Sequence, residues 1–295
     1  MATTAPYEHG RSAARDGAAE HDGGPAACPV LGADEAAAYT DYVHTETLLS
    51  LQRPRTGEPA ELSFIITTQV MELLFTLIRS HWEHARDALE ADAPAAAVAA
   101  LRRGTGAQDV LAESWGLLAT LTPAEFDRFR DALGVASGVQ SAAYRRLEFL
   151  IGNKSAGMAR AHRDQPAART ALEQTLAEPG LYDAALRLLH RRGLPVPASA
   201  VERDWRRPYT PDAGVRRAWG EVYADERPGN ELLQLAEALM DTAERVTRWR
   251  HRHLMAVKRA MGAKPGTGGS SGLDWLARNA EQDVFPELWW LRTGV

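Results

Sequence analysis

From Asn230 to Met261 a single apolar stripe recurs at helical spacing, through Leu232, Leu235, Leu239, Ala243, Val246 and Trp249, and then admits a histidine. That periodicity predicts a long helix with one face in a core. His253 follows Trp249 by four residues and precedes Val257 by four, so all three share the face. An imidazole on a buried stripe needs partners for its nitrogens, because leaving one unpaired costs about 1–3 kcal/mol. Two readings meet that need. One is a core histidine bonded to a carbonyl; the other is an axial ligand to a haem iron, with the stripe lying against the macrocycle.

The remaining sequence is helical in the same manner, dominated by Ala, Leu, Glu and Arg, with no convincing period-2 stretch. Leu62 to Ala91 reads as one long helix whose first half (Phe64, Ile65, Ile66, Val70, Met71, Leu74, Phe75) is apolar nearly all round, as in a helix buried within a bundle. A weaker helix runs from Pro94 to Leu121, with an interruption expected near Gly104 and Gly106. Thr122-Pro123-Ala124-Glu125 is a capping box for a short helix that carries Phe126, Phe129 and Arg130 and stops at Gly134. Another helix spans Val139–Ile151, and residues 166–206 read as smaller helices. Lys264-Pro265 prevents the histidine-bearing helix from continuing past Gly262, and Trp275–Arg278 and Pro286–Leu291 close the chain. No fixed-period repeat is present. The expectation is an all-α, single-domain helical bundle over residues 36–295, preceded by a disordered tail over residues 1–35 rich in Ala, Gly, Asp, Glu and His.

Composition narrows the function classes. In 295 residues, 45% hydrophobic content supports a substantial core, and a net charge of −5 argues against a dedicated nucleic-acid binder. The excess of arginine over lysine fits a high-GC coding sequence. Cys28 is the single cysteine, so no internal disulfide can form, and its setting suggests an inert thiol. No segment reaches the ~18 uninterrupted apolar residues of a membrane span. The first thirty residues lack the apolar run of a signal peptide, so the expected compartment is the cytoplasm, with no membrane association.

The glycine-rich run Gly266–Gly272 follows a helix rather than a strand and lacks a Gly-Lys-Ser/Thr ending, which removes the nucleotide-binding reading. It can serve as a nest of N–H groups with the Thr267 hydroxyl, able to hold a small carboxylate or ammonium group, or as a plain linker. His251 and His253 point about 200° apart on a helix and cannot share a metal, so His251 is expected in solvent. His81 and His84 read as a surface pair for want of further ligands. Covalent haem attachment is excluded, because Cys-x-x-Cys-His is absent. Arg130 is either a snorkelling surface residue or an inward fork for a substrate carboxylate.

Taken together, several stretches resemble the tryptophan 2,3-dioxygenase family, within the superfamily of histidine-ligated haem-dependent aromatic oxygenases. They are Tyr39–Tyr42, Phe64–Gln69, Leu121–Phe126, Ser137–Ser141, Tyr144–Lys154, Trp249–His253, Gly266–Gly272 and Phe285–Trp289, in family order and covering nearly all of the chain after the tail. The resemblance implies an all-α subunit of a homotetramer with haem b in its core, bound through His253. It implies that Arg130 and Thr267 hold the amino acid's carboxylate and ammonium, that Phe64 packs on the indole, and that Trp115 lies by the haem. Ser137 and Gly138 would border the oxygen pocket, and Tyr39 and Tyr42 match residues that reach a neighbouring subunit's site.

Two positions depart from the family pattern. Thr68 stands where the best-known bacterial and animal enzymes have a distal histidine, and Phe126 stands where many have tyrosine. Threonine cannot act as a base near neutral pH, so any catalytic part for Thr68 is a hydrogen bond to the oxygen co-substrate. The implied activity is oxygenation of the indole C2–C3 bond of L-tryptophan, or a close analogue, with O2, giving N-formylkynurenine. A second reading keeps the haem but inserts one oxygen atom, giving a 2-oxindole from tryptophan or β-methyltryptophan. A third is a non-enzymatic haem sensor.

Overall fold

Two long helices dominate the computed structural model, which describes residues 33–262, 264 and 272–293. The chain divides into two compact units, Met1–Leu51 and Gln52–Val295. In the first, helices Ala33–Val43 and Thr45–Leu49 meet at His44, and Tyr39, Tyr42 and Leu49 are exposed. In the second, the helices that build the site are α1 (Pro59–Glu90), α2 (Pro94–Leu118), α3 (Pro123–Leu133), α4 (Ala142–Leu150), α5 (Leu181–Arg191), α6 (Ala213–Ala224), α7 (Glu231–Met261), α8 (Leu273–Ala280) and α9 (Pro286–Leu291). Among the described residues no strand forms, and the fold is all-α. Cys28 and the run 265–271, which includes Thr267, lie outside the described residues.

Local chemistry sets the ends of α1, α3 and α7. Proline opens α1, and the Glu58 carboxylate accepts from the Ala60 amide. The capping box of α3 forms as the sequence predicts, with Glu125 reaching back to the Thr122 amide at 2.8 Å. Gly262 takes φ +59° just past α7, a conformation in which a side chain would be strained.

Packing follows from the apolar spacing. Met71, Phe75, Ile78, Trp82, Ala85 and Leu89 alternate at three and four residues along α1 and are buried. They meet a comparable seam of α2, and the short turn at Ala91–Ala93 makes the two helices an antiparallel hairpin. The seam of α7 lies on α2, where the Gln108 amide donates to the Thr242 carbonyl at 3.1 Å.

Two expectations need correction. The helix from Pro94 is continuous through Gly104 and Gly106. A Cβ at Gly104 would stand 3.4 Å from the His81 Cβ and 3.7 Å from the Trp82 indole nitrogen, so this glycine permits close approach to α1 and the packing outweighs its low helix propensity. The apolar start of α1 is not buried all round either. Leu62, Ile66, Leu73 and Leu77 form an exposed stripe, because helix partners cover only the opposite face. By length and mean hydropathy (1.5 over its most apolar window) α1 also suffices to cross a membrane, yet here it packs on α2, α4 and α5.

Two buried carboxylates fasten the bundle. Glu148 on α4 accepts from the Tyr144 hydroxyl at 2.6 Å, from Arg250 Nη2 on α7 at 3.0 Å and from the Asn153 amide. Burial pushes its carboxyl up, but the Arg250 guanidinium and the Tyr144 hydroxyl outweigh that and hold it below the usual range. Glu287 on α9 accepts from the Tyr182 and Tyr209 hydroxyls at 2.9 and 2.6 Å and from the Asp212 amide at 2.8 Å. Glu148→Ala strands a buried guanidinium and is expected to cost about 3–5 kcal/mol of stability. Glu287→Ala strands two hydroxyls and an amide, an expected cost of about 3 kcal/mol or more. Urea midpoints measure both; a loss under about 1 kcal/mol at either site would show that its carboxylate does not fasten the helices.

Candidate active site

A cavity of about 280 Å³ opens between α1, α2, α3, α4 and α7, closed at its margins by α8 and residues 136–141. Its wall is mainly apolar: Phe64, Met71 and Phe75 from α1, Trp115 and Leu118 from α2, Phe126 from α3, and Trp249 from α7. Phe64, Phe126 and Phe129 form an aromatic cluster with centroids 5.3–6.4 Å apart. Such a wall excludes water and strengthens any charge interaction made inside.

His253 lines this cavity from the α7 stripe. Its ring stacks on Trp115 at 4.3 Å and 10°, with Trp249 at 5.5 Å, which fixes the plane of the imidazole. Burial pushes its pKa down to about 4, so the ring is neutral at physiological pH. Neither ring nitrogen has a hydrogen-bond partner among the described residues. A neutral imidazole with a spare lone pair is a metal ligand in waiting. No group of three or more His, Cys, Asp and Glu residues able to hold a bare ion occurs among the described residues. A metal at His253 would therefore arrive in a cofactor that brings its other ligands.

The other expected site residues fall into three groups. Phe64, Thr68, Trp115, Phe126, Ser137 and Gly138 all line the cavity with His253. The Thr68 hydroxyl donates to the Phe64 carbonyl at 2.8 Å, so its proton is already engaged within its own helix. Ser137 is fixed by a reciprocal pair with Gln140, its amide donating to the Gln140 side chain at 3.2 Å. No atom lies within 4 Å of where a Gly138 Cβ would be. Arg130 is half-buried on α3, one turn beyond Phe126, and is not part of the cavity wall. Tyr39 and Tyr42 belong to the N-terminal unit, and Thr267 is outside the described residues. His251 is exposed, as its helical position requires, and His84 bonds to its own helix carbonyl at Ser80.

Two residues of the wall carry chemistry that the sequence did not signal. Arg145 is 3% exposed and lines the cavity, and Tyr144 joins the wall to Glu148. The spacing of Tyr144 and Glu148 places both on one helical face, but their partner Arg250 lies 102 residues on. Only the folded chain brings them together.

Comparison with known proteins identifies the family. The model of a family described as tryptophan 2,3-dioxygenase matches residues 26–222 and 219–295. The tryptophan 2,3-dioxygenase of Cupriavidus necator is 40% identical over 257 residues, 87% of either chain. That of Caulobacter vibrioides is 41% identical over 257 residues, 87% of this chain and 98% of the relative. Matches of this extent, joined to an all-α bundle with a neutral histidine facing an apolar cavity, place the chain in the tryptophan 2,3-dioxygenase family.

Proposed function

We propose that this protein is a haem-dependent oxygenase that opens the indole ring of L-tryptophan with O2 to give N-formylkynurenine. The observation that carries the reading is His253, a neutral imidazole without a hydrogen bond among the described residues, on the wall of an apolar cavity in a chain of this family. Those features fit haem b, whose macrocycle asks for apolar walls and whose iron asks for one axial nitrogen. When bound, haem supplies the activation of O2 and its delivery to the indole C2–C3 bond.

The side chains of the chain do the rest. His253 would hold the iron, and the stacked Trp115 ring keeps the imidazole from turning. Phe64 and Phe126 offer aromatic faces to the indole and keep water out. Arg130 meets the substrate carboxylate and Thr267 its ammonium, while Ser137 and Gly138 leave room for oxygen. Thr68 supplies no base, so removal of the indole proton does not depend on this position.

The reading extends to a cytoplasmic homotetramer. The open stripe Leu62, Ile66, Leu73 and Leu77 supports burial against another subunit. Tyr39 and Tyr42, 67% and 87% exposed, suit residues that complete a neighbouring site. A lone cysteine accords with a reducing compartment.

One observation favours a second outcome on the same haem. Thr68, its proton turned to the Phe64 carbonyl, leaves the position without the histidine of the best-known enzymes, and insertion of a single oxygen would then give a 2-oxindole. Product mass separates the two: a gain of two oxygens supports ring opening, and a gain of one supports the oxindole.

His253→Ala is expected to abolish both the Soret band and product formation; a variant that retains its proximal coordination would overturn the assignment. Arg130→Ala is expected to raise KM, with a loss in kcat/KM of about 2–5 kcal/mol. Unchanged steady-state kinetics would remove Arg130 from the substrate site.

A further inference from the structure

The cavity wall contains a cation that forms no ion pair among the described residues. Arg145 is 3% exposed, and its Nε and Nη2 atoms are buried without a hydrogen-bond partner. No ion pair to Arg145 forms among the described residues. Its nearest relation is the Tyr144 ring face, 5.7 Å from the guanidinium carbon. Glu148, one turn on, spends its hydrogen bonds on Tyr144, Asn153 and Arg250, and Arg145 feels it through space, after Arg250, without a hydrogen bond. Glu72 is the only carboxylate in the described wall, and it pairs with no cation. A buried, unpaired guanidinium is strongly unfavourable, and the neighbouring helices hold it in place regardless. Its planar fork matches a carboxylate in two parallel hydrogen bonds.

We propose that Arg145 binds a carboxylate of the molecule that fills the His253 cavity. The proposal rests on the haem oxygenase reading, under which two carboxylates are available: a propionate of the haem and the α-carboxylate of the amino acid. Both have the chemistry that the fork recognises. Arg145 is thus a binding residue distinct from Arg130, which stands outside the wall. A carboxylate of the occupant would give the Arg145 fork its ion pair.

The test uses the full chain, reconstituted once with haem and once with haem dimethyl ester, which lacks the propionate charges. Loss of each porphyrin to apomyoglobin gives its dissociation rate. Wild type is expected to hold haem roughly 10- to 100-fold longer than the ester, the range of a charge-assisted hydrogen bond. Arg145→Gln abolishes that preference if the partner is a propionate. In a second arm, spectral titration of the holoprotein compares tryptophan with tryptamine, which lacks the carboxylate. Arg145→Gln abolishes the preference there if the partner is the amino acid. Loss of either preference supports the proposal; retention of both within about twofold overturns it. Thermal unfolding separates a binding from a supporting role. Ligand-free Arg145→Met is expected to melt higher than ligand-free wild type, because an unpaired buried charge is gone. A lower melting temperature would identify Arg145 as a structural support and overturn the proposal. A wild-type chain that takes up no haem overturns the parent reading, and this proposal with it.

Discussion

The ion pair between Glu148 and Arg250, 3.0 Å apart and almost wholly out of solvent, decides how α4 and α7 face one another. A pair buried this deeply repays its desolvation only when its remaining atoms are also bonded. Here Tyr144, Asn153 and the Gln282 carbonyl take up most of that bonding capacity, and Arg250 Nε is left without a hydrogen bond. The geometry is consequently narrow, and with it the relation between Arg145, three residues before Glu148, and His253, three residues after Arg250. The cavity lies where these two helices are held apart by aromatic side chains and together by one ionic contact.

Within that frame the polar groups of the site are placed by cost as much as by attraction. A neutral imidazole without a partner and a guanidinium without a counterion are both unfavourable in an apolar wall. The surrounding packing keeps them there: Trp115 is stacked on His253, and the helical hairpin is closed by a continuous seam. Side chains held this firmly by their neighbours give a site its preorganisation. Thr68 is held differently, its hydroxyl turned back to the Phe64 carbonyl of its own helix.

Much of the architecture was legible from the residues alone. The capping box at Thr122, the stop at Gly262 and the proline starts at Pro94, Pro123 and Pro286 are local signals, and each falls at an observed helix end. The misreadings were of the opposite kind. Gly104 and Gly106 look like breakers in isolation, but the packing of α2 between α1 and α7 carries the helix through them. The apolar surround of α1 reads as burial on every side, whereas only one face finds helix partners in the single chain.

The stripe through Trp249 and His253 was fixed by sequence, because helical periodicity needs no knowledge of distant residues. Seven of the eleven expected site residues (Phe64, Thr68, Trp115, Phe126, Ser137, Gly138 and His253) line the cavity, all but Trp115 lying in the short stretches that carry the family resemblance. Tertiary structure alone decided which charges are satisfied. Glu148 finds Arg250 across 102 residues, and Arg145 in the same helix forms no ion pair among the described residues. A sequence shows that a residue can bear charge; only the folded chain shows what stands beside it, because the cost of a buried ion depends on neighbours that no local pattern encodes.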